Sequence, residues 1–352
     1  SSLVLMAIVI PLAPHLLELL NTPEEIVGMS QDYLSIMFMG IMGMALYNIS
    51  SGILRGLGDS FSPLLLLILA TVINTGLDIY FVWFQGWGVA GAAWATIIAQ
   101  AISAVLTLIR LFQIDFLHPY RKEDIKPRWA IIKEIYHLGI PAGLTQGIFS
   151  IAMLLVQNVI NQMGTLVIEA NTAVIRVDAL AMMPNFTFGM AAMTFVGQNV
   201  GAGKLDRVHR GSKILSRMSL GVSILTTLAI NLFGPTLLGL FSKDPNVILV
   251  GQRMFLVLSL GYIAVSQTQV FGGILRGAGN TMPSMWIALF TSIVIRTPLA
   301  YLMTYLSRSD EWPNGSPYWL QASLLIAWLL GAIATYAYYR FANWEFKSQD
   351  PL

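Results

Sequence analysis

Of 352 residues, 56% are hydrophobic and only 11% charged, against about 25% charged in an average soluble protein, which excludes a soluble globular domain. The formal net charge is +2, so the information lies in where the Lys and Arg fall and not in their excess. No cysteine is present, which removes disulfide frameworks, thiolate metal sites, iron–sulfur clusters and cysteine nucleophiles, and long uninterrupted apolar runs exclude a β-barrel, whose strands alternate.

A helix rises about 1.5 Å per residue and must cross about 30 Å of hydrocarbon, so runs of about 20 apolar residues are candidate spans. In chain order they fall near 3–20, 31–53, 63–84, 88–112, 135–160, 167–198, 213–240, 246–272, 283–306 and 318–341. The breaks carry turn chemistry, including Asn21-Thr22-Pro23, Gly58-Asp59-Ser60, Gln85-Gly86-Trp87-Gly88, Gly201-Ala202-Gly203 and Gly279-Asn280-Thr281. The reading is an all-α polytopic membrane protein. Gly, Pro and Trp fit it, since Gly and Pro are tolerated in spans and Trp gathers at interfaces.

Assigning alternate loops to opposite sides collects most of the basic residues on one side. That side holds Arg55, the stretch Arg110 to Lys133, the stretch Lys204 to Arg217, Arg276, Arg340 and Lys347, while the other holds only Lys243 and Arg308. The positive-inside rule places the basic side, with the C-terminus, in the cytoplasm. The basic stretch around Tyr120-Arg121-Lys122 reads as an anchor on that face and not as a nucleic-acid patch.

The twelve residues Gly52-Ile53-Leu54-Arg55-Gly56-Leu57-Gly58-Asp59-Ser60-Phe61-Ser62-Pro63 return 221 residues later as Gly273-Ile274-Leu275-Arg276-Gly277-Ala278-Gly279-Asn280-Thr281-Met282-Pro283, with one position dropped before the proline. In both copies the motif closes an apolar helix and Pro opens the next, so equivalent helices end in Arg at the cytoplasmic face. Four predicted helices precede the second motif within its copy and two precede the first, so two helices are expected to be missing from the front. Two six-helix copies share one orientation, giving parallel repeats about an axis along the membrane normal. The divisions expected are an incomplete N-terminal lobe at 1–112, a cytoplasmic inter-lobe linker at 113–134, a C-terminal lobe at 135–341 and a cytoplasmic tail at 342–352.

Asp78 lies fifteen residues beyond Pro63, about 22 Å up its helix, where a carboxylate costs about 2.5–3.5 kcal/mol on insertion scales. It must face a cavity or a partner. Asn74 is one turn away at i−4, and in the next helix Ala92 and Thr96 are likewise i, i+4. Because the two helices are joined by a very short outer turn, an acid, an amide, a hydroxyl and a backbone carbonyl can meet at one depth. The functional reading is a proton or cation site; the bland one is an intramembrane hydrogen-bond clamp. The matching positions of the second copy are Pro298 for Asp78 and Arg296 for Gly76, so this chemistry belongs to the first lobe.

In the second lobe Arg176 and Asp178 share a predicted helix and Arg296 lies at similar depth. Opposite charges inside a membrane protein pair, so a structural bridge from Asp178 to Arg176 or Arg296 is expected. Gln146, Gln157 and Asn158 put amides along the helix near 135–160, as a face lining a substrate cavity or as interhelical glue. The histidines His15, His118, His137 and His209 show no metal-ligand clustering, and Gly201-Ala202-Gly203-Lys204 lacks the spacing of a phosphate-binding loop. No catalytic pair or metal cluster supports an intramembrane enzyme.

The doubled Gly-Ile-Leu-Arg-Gly motif, Asn74-x-x-x-Asp78, Gly88-Val89-Ala90-Gly91-Ala92-Ala93-Trp94-Ala95-Thr96 and Val196-Gly197-Gln198-Asn199-Val200-Gly201-Ala202-Gly203 together resemble the multidrug and toxic compound extrusion (MATE) transporters, the first lobe resembling the archaeal branch. The resemblance covers essentially the whole chain. It implies a twelve-helix, two-lobe exporter of drugs and organic cations, working by alternating access and driven by inward H⁺ or Na⁺, of which this chain holds about ten helices. It implies a coupling site at Asn74, Asp78, Thr96 and the backbone of Ala92, the family's other acid lying on a first helix that this chain lacks. A multi-pass monomer in the cell membrane is expected, with lipid and a small-molecule substrate as partners, no nucleic acid, and no cofactor beyond the coupling ion. A flippase of lipid-linked oligosaccharides from the same superfamily is the alternative.

Overall fold

The computed structural model describes residues 2–19, 24–114, 128–342 and 344. Among the described residues all ten apolar segments are helical, and six helices are long and apolar enough to cross a membrane, or eight when two bent pairs are each counted as one span. Residues 2–19 form a further helix that contains Pro11 and Pro14, and the helix 165–201 carries Glu169, Arg176 and Asp178. The chain divides into two compact units, Ser1–Lys126 and Pro127–Leu352.

The first unit consists of α1 (Ser2–Leu19), α2 (Glu24–Met39), α3 (Ile41–Gly56), α4 (Phe61–Asp78) and α5 (Gly88–Phe112). Its centre is α5, on which α2, α3 and α4 pack. The reason is in the residues: α5 buries Gly91, Ala95, Ala99 and Ser103 at four-residue intervals, a stripe of small side chains that lets neighbouring backbones approach where no hydrophobic drive between helices exists. The α2 and α3 axes bend by 42° at Gly40, where a Cβ would collide with Ile97 of α5. Beyond Asp78, α4 runs into a π-helical segment, Ile79–Phe84.

The second unit consists of α6 (Trp129–Asn161), α7 (Thr165–Gly201), α8 (Leu205–Leu238), α9 (Pro245–Leu258), α10 (Gly261–Gly277), α11 (Met282–Leu289), a π-helical segment (Phe290–Ile295), α12 (Arg296–Leu306) and α13 (Pro317–Phe341). Here α10 is central, packed on α7, α8 and α13, with Tyr262, Phe255, Met254 and Leu258 in the main hydrophobic cluster. The α9–α10 pair bends by 49°. Each unit therefore carries, in the same order, a bent helix pair, the Gly-Ile-Leu-Arg-Gly motif and a helix that passes into a π-helical segment, which ends the helix in the first unit and is followed by α12 in the second.

The repeated motif ends its helix in the same way twice. The N–H of Asp59 donates to the carbonyl of Leu54 at 2.9 Å and that of Asn280 to the carbonyl of Leu275 at 2.8 Å, with Gly58 at φ 97° and Gly279 at φ 81°. Only glycine takes that left-handed conformation without cost, which is what this helix stop requires.

Helix ends extend past the apolar runs. α6 starts at Trp129 and α8 at Leu205, against 135 and 213 expected from apolarity, because a helix continues past the hydrocarbon where its side chains become polar. Residues 129–134 of the expected linker are therefore helical, and 115–127 lie outside the described residues, as do Tyr120-Arg121-Lys122, His118 and nearly all of the expected tail.

Candidate functional site

The site in the first unit is built on α4 and α5. They are joined by the short turn 85–87, where the N–H of Trp87 donates to the carbonyl of Phe81 at 3.0 Å and their rings stack at 4.8 Å. A turn this tight fixes the register of the two helices. It brings the amide of Asn74 to the hydroxyl of Thr96, Nδ2 donating to Oγ1 at 3.4 Å, and Thr96 Oγ1 donates in turn to the carbonyl of Ala92 at 2.9 Å. Three of the four expected site residues thus form one hydrogen-bonded chain across the two helices.

Asp78 lies one turn beyond Asn74. Its Oδ1 is buried and has no hydrogen-bond partner among the described residues, although a buried carboxylate oxygen left unpaired is costly. Directly after it the backbone widens into the π-helical segment, a feature concentrated at functional positions of helices. The oxygens gathered around this point are a carboxylate, an amide carbonyl, a hydroxyl and a backbone carbonyl, a donor set suited to a proton or a small hard cation. No group of three or more His, Cys, Asp or Glu that could hold a metal ion occurs among the described residues.

In the second unit the expected charge pair is not made. The one ion pair among the described residues joins Arg110 to Asp59 at 3.0 Å. Residues two apart on a helix point to different sides, and accordingly Arg176 turns outward with its guanidinium 5.5 Å from the centre of the Phe241 ring, while Asp178 turns inward toward Tyr262 of α10. Arg296 opens α12, and its Nε is buried without a partner among the described residues. On α6, Gln146 and Asn158 are exposed and Gln157 is half-buried, with Gln157 Nε2 donating to Asn161 Oδ1 at 2.9 Å. Two clefts open elsewhere. One of about 410 Å³ lies among Leu17, Ser30, Tyr33, Leu34 and Val89, and one of about 280 Å³ among residues 163–167 and 311–315.

Sequence reading missed a clasp on the repeated motif. Asp59 accepts from the N–H and the hydroxyl of Ser62 at 3.0 and 2.7 Å and from Arg110 Nε at 3.1 Å, tying the α3–α4 turn to the end of α5. The two Ser62 hydrogen bonds, helped by Arg110, hold the Asp59 carboxyl below the usual carboxylate range. In the second unit Asn280, at the equivalent position, donates to the Tyr338 hydroxyl of α13 at 3.0 Å. The signal available was the Asp/Asn equivalence itself, which turn chemistry alone accounted for.

Comparison with known proteins finds the MatE family model matching residues 1–80 and 141–302. The chain is 30% identical over 335 residues to the probable multidrug resistance protein YpnP of Bacillus subtilis (strain 168), covering 95% of this chain and 73% of that one. It is 29% identical over 306 residues to the probable multidrug resistance protein NorM of Thermotoga maritima, covering 85% of this chain and 66% of that one. Among solved structures, an outward-facing multidrug resistance MATE transporter of the MOP superfamily aligns with TM-score 0.87 at 21% identity, over 96% of this chain and 75% of that one.

Proposed function

The chain belongs to the MATE family of multidrug efflux transporters, and we propose on that premise that it exports small-molecule drugs or organic cations in exchange for an inward-moving H⁺ or Na⁺. The coupling cation is taken up at Asp78, with Asn74, Thr96 and the carbonyl of Ala92 as its neutral partners. The observation that carries this is the buried, unpartnered Asp78 oxygen one turn from the Asn74–Thr96–Ala92 hydrogen-bonded chain.

Protonated, Asp78 donates a hydrogen bond to a neighbouring oxygen; ionised, it attracts a cation or the Asn74 amide. The two states favour different packing of α4 on α5, and a ligand shifts a conformational equilibrium only through such differential affinity. Cation uptake from outside favours substrate release, and cation loss to the cytoplasm restores the first state. The protein acts as a multi-pass monomer of the cell membrane with the stretch 113–134 and the C-terminus in the cytoplasm, and needs no cofactor beyond the coupling ion. Export from vesicles under an imposed gradient tests the reading: Asp78→Asn abolishes gradient-driven export while the protein is still made and inserted. Wild-type export by Asp78→Asn refutes it and leaves a structural clamp.

A further inference from the structure

Arg296 is an intramembrane charge that the coupling reading leaves unused. It stands in the continuous span Met282–Leu306, fourteen residues from its start and ten from its end, about 21 and 15 Å along the helix. An arginine near a helix end keeps its guanidinium in water by extending its stem. Here the Nε is buried and has no partner among the described residues, and the one ion pair among them joins Arg110 to Asp59.

The helices packed around Arg296 supply no acid at its level. α12 and the π-helical segment before it lie against α6 and α13. α13 contains no Asp or Glu, and the one acid of α6 is Glu134, which is exposed and lies five residues into a helix of 33. Ala300, one turn beyond Arg296 on the same face, is at 0% exposure and clusters with Val156, Val159 and Ile160 near the other end of α6, and with Leu320 of α13. That face is apolar. Two carbonyls close by in sequence are already engaged, Thr291 accepting from the Arg296 N–H and Ser292 from the Thr297 hydroxyl at 3.3 Å. A charge in such a setting is paired, and intramembrane ionisable groups mark substrate or ion pathways.

We propose that Arg296 is an anion-binding site in the second unit, taking the carboxylate or phosphate of an amphipathic molecule. A guanidinium presents a planar fork of N–H donors that matches either group two bonds at a time, and the apolar side chains on the same face suit an acid carried on a hydrocarbon body. The guanidinium stays charged at every accessible pH, so the site holds a ligand and exchanges no proton. The substrate class it names, organic acids and zwitterions, rests on the export reading. A phospholipid headgroup offers the same chemistry from a second source.

Isothermal titration calorimetry of the full chain in nanodiscs of neutral phosphatidylcholine, with empty nanodiscs subtracted, tests the site using 1-naphthoate and its neutral isostere 1-naphthamide. Naphthoate is expected to bind about tenfold or more tightly than the amide, the size of a hydrogen bond to a charged group. In Arg296→Gln that preference is expected to vanish while amide binding is kept, which also shows the variant folded. Arg296→Lys, which keeps the charge and loses the fork, is expected to fall between the two. No preference for naphthoate in the wild type, or equal naphthoate binding by all three proteins, overturns the proposal. With phosphatidylglycerol added to the nanodiscs, weakening of naphthoate binding in the wild type beyond that in Arg296→Gln shows that headgroup phosphate fills the site, and equal weakening shows that the soluble acid does. Binding is read without a gradient, so its failure leaves coupling at Asp78 standing, and failure of gradient-driven export leaves the anion site standing.

Discussion

The pentapeptide Gly-Ile-Leu-Arg-Gly occurs twice, and the same substitution in its two copies is predicted to act with opposite sign. In α10, a Cβ on Gly273 collides with the backbone carbonyl oxygen of Gly189 in α7, its carbon at 3.1 Å and the Ala192 Cβ at 3.2 Å. Backbone cannot rotate aside as a side chain can. Overpacking of this kind costs about 1–3 kcal/mol, from which the helix gain of Ala over Gly, about 0.5–1 kcal/mol, is subtracted. Gly273→Ala should therefore lose about 1–2 kcal/mol, a factor of about 5–30 in the folded-to-unfolded ratio. In α3, nothing lies within 4 Å of a Cβ on Gly52, so Gly52→Ala keeps only the helix gain and stabilises slightly. Thermal unfolding of the purified variants in one detergent, followed by circular dichroism, reads both. Gly273→Ala unfolding at or above the wild-type temperature, or Gly52→Ala destabilised as much as Gly273→Ala, would refute the packing argument.

Asn74→Ala and Thr96→Ala should weaken gradient-driven export in vesicles less than Asp78→Asn does, since each removes a neutral partner and leaves the titrating carboxylate. Asp59→Ala should lose about 1 kcal/mol at neutral pH, the size of a lost helix-cap bond, by thermal unfolding. Because its folded carboxyl is held below the ordinary value of 3.8, that contribution is present above the ordinary value and lost as pH falls through the folded one, so wild type and Asp59→Ala should converge in acid. Asn280→Ala breaks the equivalent clasp to Tyr338 and, lacking a titrating group, should destabilise by a similar amount with no such convergence.

Membrane class, the ten helical segments and the internal repeat were legible in the chain itself, because apolar runs of spanning length and a twelve-residue self-similarity are local properties. The meeting of Asn74, Thr96 and Ala92 was legible for a related reason: two i, i+4 pairs on helices joined by a three-residue turn have their depths set by counting. Tertiary packing decided the rest. Asp178 was expected to bridge an arginine, but which way a helix face turns depends on its neighbours, and α10 places Tyr262 before the acid while Arg176 turns out to Phe241. The bends at Gly40 and Ser259, the π-helical widenings after Asp78 and before Arg296, and the contrast between a crowded Gly273 and an open Gly52 likewise arise from how closely one backbone approaches another. Identical residues acquire different roles there because the helix lying against them, and not the motif they share, sets the space and the partners available.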